Sequence, residues 1–90
     1  MRYVRTPLFK KDFKNLPDEV KEKAKKAFRL FRENPHHPSL RTHKVEGTSN
    51  PTIWEGRIDR KNRFTFYYEG DEVRFRRIGP HSIIEEEARG

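Results

Sequence analysis

Three side chains in the second half of the chain, Arg57, Arg63 and His81, have the types and spacing to do chemistry on a phosphate. A guanidinium presents a planar fork of donors that fits phosphate oxygens two at a time, and an imidazole titrates near neutrality, so it can give or take a proton. Arg57 and Arg63 flank a tight turn read at Arg60 to Asn62, which places them on neighbouring strands. Side chains alternate along strands, so Trp54, Ile58, Phe64, Phe66, Val73 and Phe75 fall on one face and both arginines on the other. Two forks on one open face can converge on one phosphate. His81 follows a Gly79-Pro80 corner where the strands end, just before a new apolar run.

Other side chains near this set carry weaker signals. Glu46 is the carboxylate closest in sequence and a candidate base. Tyr67 and Tyr68 offer a ring on which a base could stack, one of the two being expected in the core. His36 and His37 lie in a Pro-bounded loop without the further ligands that zinc needs, so no metal and no cofactor is expected. Ser39 and Ser49 have no partners for a nucleophilic triad.

A small scaffold must position these groups. The 90 residues allow one domain, residues 1–90, with one core and room for one site. A net charge of +7 commonly accompanies a nucleic acid, anionic lipid or acidic protein partner. With no cysteine there is neither a disulfide framework nor a thiolate metal site. Apolar runs are only a few residues long and MRYVRTPLFKK has no signal-type apolar region, so a cytoplasmic protein with no membrane partner is expected.

Tyr3 and Val4 suit a short first strand over Arg2 to Arg5. Thr6-Pro7 is a helix start, and Leu8, Phe9, Phe13 and Leu16 give the helix one apolar face until Pro17 begins another. From Asp18 to Asn34, Val20, Ala24, Ala27, Phe28 and Phe31 repeat at helical spacing, with Lys and Glu outside; Asn34-Pro35 ends the run. A connection follows with one short strand, Arg41 to Val45. Strands are then expected over Thr52 to Asp59, Arg63 to Tyr68 and Glu72 to Ile78, the last two joined by a hairpin turn at Glu69-Gly70-Asp71. The acidic end, Glu85 to Glu87, fits either a last helical turn or a frayed tail. The expected class is α+β, an N-terminal helix pair packed on a twisted four- to five-stranded, mostly antiparallel sheet.

FKKDFKNLPDEVKEKAKKAF, NPHHPSLRTHKVEG, IWEGRIDRKNRFTF and RRIGPHSI together, in this order, resemble the RelE/ParE superfamily of toxins from type II toxin-antitoxin systems, and within it the RelE-like messenger-RNA interferases. The resemblance implies an endoribonuclease that inhibits translation by cutting messenger RNA, typically in the ribosomal A site, and a cognate antitoxin that covers the same basic face. The ParE branch shares the fold but poisons DNA gyrase. A non-catalytic poison, and an inactive toxin fold that still binds antitoxin, therefore stand as alternatives.

Cutting RNA without a metal needs a base for the ribose 2′-hydroxyl, cations for the charge growing on phosphorus, and an acid for the leaving oxygen. Arg57 and Arg63 match the arginines that RelE-like toxins use on the phosphate, and His81 matches a histidine that takes part in catalysis. Lys44, in the matched RTHK string, with Arg76 and Arg77 before the matched IG, would track an RNA backbone. His43 stands where the family has a basic residue and is a candidate acid or base, as is Glu46. One departure is plain: relatives commonly follow the histidine with Asp and carry an aromatic near the end, where this chain has Ser82, Ile83 and Ile84.

Overall fold

Thr6 and Pro7 start the first helix as the sequence predicts. The Thr6 hydroxyl accepts from the Phe9 N–H at 3.3 Å, and it donates to the Phe75 carbonyl at 2.8 Å, tying the helix start to the last strand. The computed structural model describes residues 1–89. It contains β1 (Arg2–Arg5), α1 (Pro7–Lys14), α2 (Asp18–Glu33), a 3-10 turn (Pro38–Leu40), β2 (His43–Lys44), β3 (Trp54–Arg57), β4 (Asn62–Glu69), β5 (Glu72–Pro80) and α3 (Ile83–Arg89). The five strands form one sheet in the order β1-β5-β4-β3-β2. β1 runs parallel to β5 and every other neighbouring pair is antiparallel. No described helix is long and apolar enough to cross a membrane.

The core lies between the α1/α2 pair and one face of the sheet. Phe9, Phe31, Phe64, Phe66 and Phe75 are all buried there, with Val20, Ala24 and Ala27 of α2, and Phe28, Trp54, Ile58 and Tyr68 pack at its margin. Phe31 meets Phe66 edge-on with ring centroids 4.9 Å apart, the arrangement that aromatic quadrupoles favour. Leu8 departs from its expected place and is exposed. It directly precedes Phe9, which is buried, and adjacent helix positions cannot share a face. Gly56 faces Phe64 across the β3–β4 pair, and the Phe64 ring occupies the space that a side chain at Gly56 would need.

Two strands are shorter than expected, for local reasons. Arg41 adopts a left-handed conformation as it leaves the 3-10 turn, and Gly47, at φ +83°, turns the chain back, so β2 keeps only His43–Lys44. β3 ends at Arg57 because the Asp59 carboxylate accepts the Lys61 and Asn62 N–H groups and shapes the turn. Of the two readings of the acidic end, helix is the observed one. α3 packs against β4 and β5, with Ile83 and Glu87, one turn apart, buried outside the aromatic core. Val45 and Ile53 are likewise buried outside that core, so the sheet has a second, smaller covered region on the side away from α1 and α2.

Candidate nucleic-acid interface

Arg57 and Arg63 are direct cross-strand partners. The Ile58 N–H donates to the Asn62 carbonyl at 3.0 Å, so the next pair along, Arg57/Arg63, is of the non-hydrogen-bonded kind. In such pairs the side chains approach closest, with Cα atoms about 4.5 Å apart. Like charges so placed destabilise a sheet unless something anionic lies between them. Neither arginine forms an ion pair among the described residues. Glu55 and Asp59, the nearest carboxylates in sequence, are engaged elsewhere: Glu55 with His43, and Asp59 with its own turn and Lys23. Burial pushes the Asp59 carboxyl up, but the donors from Lys61, Asn62 and Lys23 outweigh it and hold the group below its ordinary value.

Arg63 is partly committed. Its Nη1 donates to the backbone carbonyls of Asp59 at 2.6 Å, Asn62 at 3.0 Å and Arg60 at 3.3 Å, strapping the β3–β4 turn. Its other two side-chain nitrogens make no hydrogen bond among the described residues, nor does any side-chain nitrogen of Arg57. His81 sits between β5 and α3, where its N–H donates to the Lys61 carbonyl at 3.0 Å and its own carbonyl accepts from Ile84. That bond fastens His81 to the turn that Arg63 straps. The ring is exposed and carries no hydrogen bond among the described residues. Arg57, Arg63 and His81 are thus gathered at one end of the sheet.

The remaining candidates divide. Arg77 is locked: Nε and Nη2 donate to Asp12 at 2.7 and 3.3 Å, and Nη1 donates to Glu86 at 2.8 Å. Those bonds, the Asp12 contact foremost, raise its pKa further and hold the charge in place. Arg76, beside the bulge that shifts register opposite Thr65 and Phe66, lies with Nε 3.0 Å from Glu87 Oε2, an ion pair not aligned as a hydrogen bond. Neither guanidinium is free to follow an RNA backbone as α3 now sits. Lys44 points away from the arginine pair, because it opposes Trp54 and rests over that ring at 5.5 Å, on the helix side. Glu46 is exposed in the turn after β2 and has no partner among the described residues. Tyr68 packs on the core; Tyr67 opposes Arg74 on the other face. Of the two loop histidines, His37 accepts the Ser39 N–H and His36 edges onto Trp54.

His43 does share the arginine face. Its Nε2 lies 2.6 Å from Glu55 Oε1 and its Nδ1 lies 2.8 Å from the Arg41 carbonyl. Glu55 is only 5 % exposed, and its Oε2 has no hydrogen-bond partner among the described residues. Glu55 is a residue of this face that the sequence analysis does not single out. The signal available was its parity with Arg57 along β3; its true partner required the β2–β3 register.

The fold has solved counterparts. YafQ from Escherichia coli superposes with a TM-score of 0.74 at 19% identity, covering 93% of this chain and 98% of YafQ. RelE in the RelB–RelE complex of Methanococcus jannaschii gives 0.72 at 20% identity, over 92% of this chain and 95% of that one. RelE in the RelE–RelB complex of Pyrococcus horikoshii gives 0.68 at 15% identity, over 88% and 92%. The chain has the RelE/ParE toxin fold. At these identities the likeness shows the architecture alone: two N-terminal helices on a five-stranded, mostly antiparallel sheet. No protein-family model and no curated protein sequence matches the chain.

Proposed function

We propose that this RelE-fold chain is the toxin of a type II toxin-antitoxin pair, and that it cuts messenger RNA without a metal, free or in the ribosomal A site. The observation that carries this reading is the Arg57/Arg63 pair, two arginines opposed across β3 and β4 on one sheet face, neither of them in an ion pair among the described residues. An RNA phosphate supplies the missing anion. In this reading His81, held by backbone at the same end and free at its ring, moves a proton as the 2′-oxygen attacks phosphorus. An antitoxin is the expected partner: the similar RelE chains of both archaea were crystallised with RelB. A net charge of +7 suits an acidic partner segment.

A second reading, a toxin fold that binds antitoxin without cutting, draws on one observation. Arg76 and Arg77, which would track RNA, are held by Glu87 and Glu86 of α3. Expression under a tight inducer, beside His81→Ala and Arg57→Ala, separates the readings through growth and primer-extension maps of cellular messenger RNA. Growth arrest with new RNA ends that vanish in both variants supports the nuclease. Arrest with DNA damage and no new RNA ends points to gyrase, and absence of arrest supports the non-cutting fold.

A further inference from the structure

We infer that His43 is the general acid of this face, acting through Nδ1, and that Glu55 is the residue that positions it; this rests on the nuclease reading above. A carbonyl oxygen and a carboxylate oxygen both accept, so the two contacts of the His43 ring are satisfied in full only when both ring nitrogens carry hydrogen. The two contacts differ in kind. Glu55 is buried and fixed on β3, a strand paired on both sides, whereas the Arg41 carbonyl is a local, exposed acceptor two residues away. A substrate oxygen can replace the carbonyl at Nδ1 without disturbing the bond at Nε2.

Placement favours the same assignment. His43 opposes Glu55, and Arg57 follows two residues along β3 on the same face, so His43 and Arg57 are diagonal neighbours about 7 Å apart. The His43 side chain is 60% exposed while that of Glu55 is 7% exposed, the arrangement of a reacting group backed by an orienting one. Burying a carboxylate that has one partner costs folding free energy, and such costs concentrate at functional sites.

In the step so assigned, the 2′-oxygen forms its bond to phosphorus while its proton passes through water to His81, which lies three strands across the sheet from His43. The bond from phosphorus to the 5′-oxygen breaks, and that oxygen takes the proton from His43 Nδ1. A 2′,3′-cyclic phosphate and a 5′-hydroxyl result, and the neutral His43 ring keeps Nε2–H on Glu55 until water returns the lost proton.

The test uses a leaving group that needs no proton. A short messenger with one bridging 5′-phosphorothiolate linkage, and its ordinary-oxygen counterpart, are offered free and on translating ribosomes to the wild type, His43→Ala and Glu55→Gln. His43→Ala is expected to slow cutting of the ordinary linkage about 100-fold or more, the size of a lost general acid, yet to cut the thiolate linkage near the wild-type rate. Glu55→Gln is expected to show a smaller loss of the same pattern, in kcat with KM unchanged. The ratio of the two rates within one variant is insensitive to any loss of folded protein. Equal slowing on both linkages, or full activity of His43→Ala on the ordinary one, overturns the assignment while the nuclease reading stands. A wild type that cuts neither linkage overturns both.

Discussion

Asp12 and Arg77, 65 residues apart in sequence, form the clasp that joins the first helix to the last strand. One Asp12 oxygen accepts from Arg77 Nε at 2.7 Å and from the Ile78 backbone N–H at 3.2 Å. β1 stops alongside Phe75, so beyond it the edge of β5 has no strand partner, and an α1 side chain supplies the acceptor a strand would have given. The same guanidinium reaches Glu86, and so three elements meet on one side chain.

Asp12→Ala should therefore act on stability. It strips a partly buried guanidinium and a backbone N–H of their acceptor, a loss of about 2 to 3 kcal/mol. Urea unfolding followed by circular dichroism measures it, and a change under 1 kcal/mol (about a third of that expectation) would show that the clasp is ornamental.

Asp59 sets an acid limit. Its pKa is lower folded than unfolded, so it adds stability above the unfolded value and loses that contribution as pH falls through the folded one. Stability of the wild type should fall on acidification below about pH 4. Asp59→Asn lacks this component, so the gap between the two proteins should close as pH drops; a constant gap from neutrality to acid would refute it.

Gly56 has no room for a methyl group. A Cβ there would come within 2.3 Å of Phe64 Cζ, on a ring that is itself fully buried and has no room to swing away. Gly56→Ala should cost about 1 to 3 kcal/mol by overpacking. Pairing it with Phe64→Leu should give a double variant more stable than the two losses added together, and simple additivity would show that the contact is not the cause.

Arg57→Ala should separate function from stability. It removes one of two opposed cations and no hydrogen bond, so stability should hold or rise by a few tenths of a kcal/mol. RNA cutting should be lost in the same protein. Arg63→Ala should lose activity and some stability together, because Nη1 straps the β3–β4 turn. If Arg57→Ala unfolds more easily than the wild type, the pair is structural.

Local rules carried the reading of the chain a long way. Thr6-Pro7, Pro17 and Asn34-Pro35 bound both helices because caps and prolines act within one turn. Alternation placed Arg57 and Arg63 on one face because that period survives any packing. What sequence reasoning missed depends on partners far along the chain. The fate of Arg76 and Arg77 turns on a bulge and on where α3 lands, and IIEEEAR is compatible with helix or tail until Ile83 finds its cover. The His43–Glu55 contact depends on the register of a two-residue strand, too short to announce its pairing.

The place of β1 has a consequence for how the protein comes into being. Among the described residues its only neighbour in the sheet is β5, so the first strand of the sheet must wait for the fifth. Contacts that close so late in sequence form slowly and cannot form on a partly synthesised chain. Arg77 and His81, too, leave the ribosome after every helix of the core. The nascent polypeptide therefore holds no complete sheet face until β5 has been made, and whatever the complete face does to RNA begins only after that point.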